Sequence, residues 1–331
     1  MLILNTEDVR SLVPMRQAVE LMKEAFIELS ANRAQAPLRS VLEVNDDPAA
    51  LLMMPGFVPA KSALGFKMVS FFGENTSRGL PTIHALVCLV DHETGVPLGI
   101  MDGSFVTALR TGAVSGAATD LLALPEANTV VVIGAGVQGV TQAAAVASVR
   151  PIERIVAVDV REDSLARFES ALRMEWPDVT AEVELTSEAN EAVSRADVIC
   201  TATTARRAVF DDDAVRPGTH INAVGAFTPE MQEIPVNTVG RALIVVDNYD
   251  AIMAEAGDLL KAIDAGVISE HDLHLELGHV AAEPARGRTA RDQVTLFKSV
   301  GNAVQDVTVA RYAIDRALSS GAGQVVELFG S

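Results

Sequence analysis

The sequence predicts an α/β protein in which a doubly wound parallel sheet follows a strand-rich α+β segment, and three observations predict it. The run Val130-Val131-Val132-Ile133 empties into Gly134-Ala135-Gly136-Val137-Gln138-Gly139, a G-x-G-x-x-G turn that opens a helix of small residues (140–149). Beyond it, apolar runs at 154–158, 179–185, 198–201, 220–225 and 243–247 alternate with helical stretches; such alternation marks parallel strands joined by crossover helices. Before residue 104 the style differs, because strand-like runs near 38–44, 50–57, 64–71, 82–90 and 96–101 follow one another without helices between them. That segment reads as a largely antiparallel sheet, with Asp91-His92-Glu93-Thr94-Gly95 as a hairpin loop.

The elements follow from local patterns. Met15, Ala18, Val19, Met22, Ala25, Phe26 and Leu29 recur at three-and-four spacing and predict an amphipathic helix with one buried face. From Ser104 to Ala123, the small residues Ala113, Ser115, Gly116, Ala117 and Ala118 predict a narrow helix that lies close against another element. In the glycine turn, Gly134 permits the tight strand-to-helix reversal, Gly136 lets backbone approach a pyrophosphate, and Gly139 permits close helix-on-sheet packing. The free N–H groups of Val137 and Gln138, with the backbone of Ala135, then face phosphate charge at a helix start. Twenty residues beyond Gly139, Asp159 closes the run Arg154-Ile155-Val156-Ala157-Val158, where a carboxylate accepts from a ribose 2′-hydroxyl. NAD is therefore the expected cofactor. NADP stays open, because Arg161, two residues on and past Val160, is placed to pair with a 2′-phosphate. A final helix over 303–318 is expected to return onto the first segment.

Composition bounds the function. With 331 residues, 49% of them hydrophobic, the chain suffices for two buried cores. A formal charge of −18 argues against nucleic acid as a partner. Cys88 and Cys200 both lie in apolar runs, so a disulfide framework is not expected and a reducing, cytoplasmic setting is. The opening residues carry no basic, apolar leader pattern. The most membrane-like stretch, Thr129 to Val149, is broken by glycines and by Gln138 and Gln142, so no membrane partner is expected.

Three cations stand in apolar or turn-rich surroundings: Arg39 in Pro37-Leu38-Arg39-Ser40, Lys67 in Gly65-Phe66-Lys67-Met68, and Arg110 in Ala108-Leu109-Arg110-Thr111. Such cations need a partner, either a bound carboxylate or an internal ion pair. Other polar residues receive plain readings. His84 reads as a satisfied structural histidine within a strand and Asp211-Asp212-Asp213 as a solvated helix start. His271-Asp272-Leu273-His274 reads as an exposed helical turn and 283–288 as an exposed loop. The histidines show no metal-ligand spacing, and no metal is expected.

Four segments, spread over nearly the whole chain, resemble the ornithine cyclodeaminase and mu-crystallin family: Leu64-Gly65-Phe66-Lys67, Gly95-Val96-Pro97-Leu98-Gly99-Ile100-Met101-Asp102-Gly103, Thr107-Ala108-Leu109-Arg110-Thr111-Gly112-Ala113, and Phe297-Lys298-Ser299-Val300-Gly301-Asn302-Ala303-Val304-Gln305-Asp306. The resemblance implies hydride transfer between a nicotinamide and the α-carbon of an amino acid or its imine. It also implies a discontinuous substrate and dimerisation domain (1–113 and 301–331) with a Rossmann-type nucleotide domain (114–300) inserted, and a homodimer. Carried over by position, Arg39, Lys67 and Arg110 match the residues that hold the substrate carboxylate, with Lys67 and Arg110 as the catalytic pair. Thr111 matches a residue at the cofactor phosphates. Thr203, Thr204, Ala223, Val224 and Gly225 fall at strand ends facing nicotinamide and its ribose, and Lys298, Ser299 and Val300 match the segment near the nicotinamide.

Two departures distinguish the members. Phe227 stands where the ornithine cyclodeaminases carry an aspartate for the second amine of their substrate, although Glu230 or Asp102 is available as a substitute. Lys298 stands where the cyclodeaminases and archaeal alanine dehydrogenases have aspartate, which resembles the mu-crystallin branch. The expectation is an imino acid reductase or amino acid dehydrogenase acting on a small or cyclic substrate, such as pyrroline-2-carboxylate or pyruvate with ammonia. Ornithine cyclodeaminase is the alternative, and a non-catalytic ligand-binding protein is the alternative of another class.

Overall fold

A computed structural model describes residues 1–44 and 49–328. In chain order the elements begin with β1 (Leu2–Leu4), α1 (Thr6–Leu12), α2 (Met15–Ser30), β2 (Ser40–Glu43), β3 (Ala49–Val58), β4 (Ala63–Phe72), β5 (Ile83–Val90), β6 (Pro97–Asp102) and α3 (Gly103–Leu122). There follow β7 (Thr129–Ile133), α4 (Val137–Val149), β8 (Arg154–Val158), α5 (Glu162–Glu175), β9 (Glu182–Thr186), α6 (Ala189–Val193), β10 (Val198–Thr201) and β11 (His220–Ala223). The chain continues through α7 (Val236–Arg241), β12 (Leu243–Val246), α8 (Tyr249–Glu255), α9 (Gly257–Asp264), α10 (Leu277–Ala282), β13 (Thr295–Lys298), α11 (Ala303–Ser320) and β14 (Gln324–Val325).

The chain divides into two units, Met1–Arg110 with Asn302–Ser331, and Thr111–Gly301. The division falls within α3, three residues before the position expected from sequence, because a continuous helix carries no compositional break there.

In the first unit, β2 to β6 form an antiparallel meander. Their sheet is completed by β1, parallel to β6, and by β14, antiparallel to β1, giving the order β14-β1-β6-β5-β4-β3-β2. The predicted face of α2 is buried throughout, with each of its seven apolar residues at most 9% exposed. Helix α11 starts at Asn302, whose side chain accepts from Val304 N while Gln305 reaches back to the Asn302 amide, and stops at Gly321, whose φ of +74° suits glycine. It packs on β3, β4 and α2 through a stripe that includes Ala303, Ala310, Ala313 and Ala317.

In the second unit all strand pairs are parallel, in the order β12-β13-β11-β10-β7-β8-β9. Every residue of β7 is buried, as a strand covered by helices on both faces requires. The strand order turns back on either side of β7, so the crevice beyond the carboxyl ends of β7 and β10 is the place where such sheets bind ligands. As the small-residue pattern predicts, α3 and α4 lie close: a Cβ on Gly112 would meet Thr141 Cγ2 at 2.6 Å.

The structure corrects four sequence expectations. His84 is exposed on β5 rather than enclosed, because it alternates with the inward-facing Ala85 and Val87. The loop after α10 is exposed from Glu283 to Arg286, but Gly287 is buried, and Arg288 turns inward to the Leu122 and Gln293 carbonyls and Thr295 Oγ1. Asp212 is not simply solvated, since its Oδ1 accepts from Thr238 Oγ1 and Arg241 Nε. Finally, β9 begins at Glu182 rather than at 179, the residues before it being used in the turn at Trp176–Val179.

Candidate active site

Lys67 lies on β4 with its ammonium 3.1 Å from both carboxylate oxygens of Asp306, in the first turn of α11. Arg110, on α3, places Nε 3.2 Å from Asp306 Oδ1 and Nη1 3.0 Å from Gln305 Oε1. All four residues are at most 6% exposed. The internal ion pair considered from sequence is therefore present, but it is unbalanced, with two cations facing one carboxylate. Burial is the main force on Lys67 and pushes its pKa down to about 7, with Arg110 and Arg39 acting in the same direction against the pull of Asp306. Arg39, half-buried just before β2, is thus close enough to be felt at the same ammonium.

The arrangement suits a planar carboxylate. The guanidinium plane of Arg110 is fixed by Asp306 and Gln305, and its two-pronged donor geometry matches a carboxylate. An anion entering here restores charge balance in a water-poor site, where each such interaction is strengthened.

The second unit presents a different chemistry. At the end of β7, Gly134 adopts φ +103°, a conformation glycine takes without strain, and a Cβ there would lie 2.5 Å from the Ala202 carbonyl oxygen. Gly136 caps α4 without any side-chain hydrogen bond to the helix, and a Cβ built on it meets nothing within 4 Å. The opening amides of α4, those of Val137 and Gln138 among them, have no partners further back in the helix, and their dipole favours an anion. Gly139 is the tightest of the three, since a Cβ would come 2.0 Å from the Gly134 carbonyl oxygen. Gly139→Ala is accordingly expected to force the turn open. Overpacking of this kind costs about 1–3 kcal/mol, which a thermal melt reads as a lowered Tm together with weakened nucleotide binding.

Asp159 stands at the end of β8, with Oδ2 accepting from the Ala135 amide at 2.9 Å and Oδ1 from the Arg161 amide at 2.9 Å. It ties the glycine turn to the neighbouring strand and presents a carboxylate beside it. Val160 is 93% exposed, and the Arg161 side chain is mostly in solvent with Nε 3.9 Å from Asp159. The donor set and the clearance at Gly136 fit a dinucleotide pyrophosphate with a ribose diol at Asp159.

The remaining sequence-predicted positions divide. Thr203 and Gly225 flank the ends of β10 and β11, with Val224 between strand and glycine, and Thr204 is exposed beside them. Thr111 is buried on α3, its carbonyl accepting from Gln142 Nε2. Phe227 is 45% exposed in the loop after β11. Asp102 is committed to a local role, its carboxylate accepting from Thr6 Oγ1 and from the Ser104 amide.

Four positions expected near the nicotinamide are held by partners within the second unit. The Lys298 ammonium is fully buried 2.9 Å from Asp258 Oδ2, itself fully buried, so its charge is balanced inside the protein. Ser299 donates to Asp247 Oδ2, and Val300 donates its amide to the same atom. Ala223 is fully buried in β11, and its carbonyl accepts from the Ser299 amide.

Comparison with known proteins follows the same lines. Over residues 1–321 the chain matches the ornithine cyclodeaminase/mu-crystallin family. It is 38% identical, over 99% of its own length and all of the relative's, to a Delta(1)-pyrroline-2-carboxylate reductase of Bacillus cereus. Among solved structures, that of Thermococcus litoralis Delta(1)-pyrroline-2-carboxylate reductase in complex with NADH and L-proline is similar, with TM-score 0.92, 38% identity, and coverage of 98% of this chain and 100% of that one. An archaeal alanine dehydrogenase dimer with bound NAD is similar with TM-score 0.90, 36% identity and 99% of each chain covered. A match across nearly every residue, carried by both units and not by the glycine turn alone, places the protein in one group: the chain belongs to the ornithine cyclodeaminase/mu-crystallin family.

Proposed function

We propose that this protein is an NAD-dependent imino acid reductase that adds hydride to the α-carbon of a small or cyclic 2-imino acid, and that it runs in reverse as an amino acid dehydrogenase. The observation that carries this reading is the unbalanced buried cluster: Lys67 and Arg110 share Asp306, and the substrate carboxylate is the missing counter-charge. The residues of the glycine turn with Asp159 hold the cofactor, whose nicotinamide supplies the hydride. Arg110, with Arg39, grips and orients the carboxylate. Lys67, its pKa brought to about 7, protonates the imine nitrogen as the α-carbon becomes saturated, and an arriving carboxylate raises its proton affinity for that task.

The named activities of the Bacillus cereus and Thermococcus litoralis relatives support a cyclic imine as substrate. Phe227 weighs against ornithine cyclodeamination, because an aromatic ring leaves a second ammonium without a counter-charge. Asp102 is already engaged elsewhere, which leaves Glu230 as the one substitute considered from sequence. A homodimer is proposed as the working form: by register Leu42, Leu51, Met53, Met68 and Leu86 share one face of strands β2 to β5, all exposed or half-buried, and give the first unit an apolar surface suited to a second copy.

The test is oxidation of NADH followed by absorbance with pyrroline-2-carboxylate, with piperideine-2-carboxylate, and with pyruvate plus ammonia. Turnover is expected with at least one. Loss of reduced cofactor with none would contradict the proposal and favour a ligand-binding role. Robust proline formation from ornithine and NAD would show that Phe227 has been given too much weight. Asp159→Ser is expected to lower the preference for NADH over NADPH, read as the ratio of kcat/KM values, by about tenfold, the worth of one charge-assisted hydrogen bond. An unchanged ratio would mean that Asp159 serves only the Ala135 and Arg161 amides.

A further inference from the structure

Glu233 lies in the loop before α7, fully buried, and belongs to none of the motifs that suggested the function. Its carboxylate accepts hydrogen bonds from two separate loops. Oε1 takes the Thr203 amide at 2.6 Å and Thr203 Oγ1 at 2.9 Å, both just past β10. Oε2 takes the Gly225 amide at 2.8 Å and the Ala226 amide at 3.1 Å, just past β11, together with Thr201 Oγ1 at 2.9 Å. The fit leaves no slack, since a Cβ on Gly225 would lie 2.3 Å from Glu233 Oε1 and 2.4 Å from the Thr203 carbonyl oxygen.

Glu233 is itself held from behind. Asp258 Oδ1 accepts from the backbone amides of Glu233 and Ile234, and Asp258 Oδ2 accepts from Lys298 Nζ at the end of β13. Burial and the neighbouring Asp258 charge push the Glu233 pKa up, while the donors from Thr203 oppose them. Every contact on its two oxygens comes from a backbone amide or a threonine hydroxyl, the donor set of a carboxylate.

The position of this staple matters. Strand order β8-β7-β10-β11 puts Asp159 on one side of the glycine turn and the Thr203 and Gly225 loops on the other, all at the carboxyl ends of parallel strands. A dinucleotide crossing that edge lays its adenosine half toward Asp159 and its nicotinamide half over the other two loops. We infer that Glu233 is a positioning residue that fixes the Thr203 and Gly225 loops at the spacing the nicotinamide half requires. It touches no ligand and acts through those loops. The inference rests on the dinucleotide reading given above.

The experiment compares two ligands, NADH and ADP-ribose, which lacks the nicotinamide, by calorimetric titration of the full-length protein. Glu233→Gln replaces an acceptor oxygen by an N–H₂ group that opposes the backbone amides. It is expected to raise the Kd for NADH by about tenfold, the equivalent of one charge-assisted hydrogen bond, while leaving that for ADP-ribose within about twofold. Thr201→Val, nearly isosteric and removing a single donor, is expected to act in the same direction by a few-fold and keeps the test decisive if the glutamine variant does not fold. A purely structural glutamate would weaken both ligands together or neither, and either result in the variants that fold overturns the inference. Wild-type protein that binds neither ligand would instead overturn the dinucleotide reading itself.

Discussion

Lys67→Met should lower kcat/KM for the imino acid by about a thousandfold, the usual worth of a positioned proton donor, while the Kd for NADH stays near its wild-type value. The split is expected because Lys67 belongs to the first unit with Asp306 and Arg110, whereas the glycine turn and Asp159 belong to the second. Methionine keeps the unbranched shape of the side chain, one atom shorter, and leaves Asp306 paired with Arg110. Equal loss of nucleotide binding would contradict the assignment of Lys67 to the substrate.

The same variant makes a prediction about stability. Folding lowers the Lys67 pKa from 10.5 to about 7, so between those pH values the unfolded chain holds a proton that the folded protein has released. Stability therefore rises with pH across that window and is flat, as far as this group is concerned, below it; the full effect is of order 5 kcal/mol at most. Lys67→Met removes this slope and should be the more stable protein at neutral pH. Denaturant titrations of both proteins at pH 7 and pH 9 measure it, and parallel pH dependence would contradict the burial of an uncompensated cation.

The second large effect is expected at Lys298. Lys298→Met leaves Asp258 fully buried without its cation and close to a second buried carboxylate, Glu233. Removing one partner of such a pair costs about 3–5 kcal/mol, which for a protein of this size lowers Tm by roughly 5 °C. Adding Asp258→Asn should restore much of the loss, since asparagine keeps an acceptor for the Glu233 and Ile234 amides and carries no charge. A Tm within about 2 °C of wild type for the single variant would mean that the lysine is not enclosed, and would revive its expected place at the nicotinamide.

Much of this architecture was legible because its signals are periodic or positional. Strands β3 to β6 alternate inward and outward residues over long runs, α2 repeats at helical spacing, and the glycine turn announces β7 and α4 together. Elements without a period were lost: β1 and β14 are three and two residues long, and β13, with its polar ends Thr295 and Lys298, shows no run that stands out although it lies between β12 and β11.

The site divides in the same way. Arg39, Lys67 and Arg110 stood out as cations in apolar surroundings, and the glycines by their spacing. Asp306 did not, although it carried a readable signal as an acid on the stripe of α11 formed by Ala303, Ala310, Ala313 and Ala317. Glu233 and Asp258 lie in short, aperiodic stretches, where only the folded chain shows that their oxygens collect amides from several loops. The partner of Lys298 was not legible, because its sequence position beside the strand end resembles a ligand contact, while the carboxylate that neutralises it is forty residues away.

Transfer of label is the most direct measurement of all. Pyrroline-2-carboxylate incubated with the protein and NADH carrying deuterium at both C4 positions of the nicotinamide should yield proline carrying deuterium at the α-carbon, and Lys67→Met should all but abolish the product. Unlabelled proline, or no consumption of NADH by any of the imines with the wild-type protein, would contradict hydride delivery to a carboxylate-anchored imine.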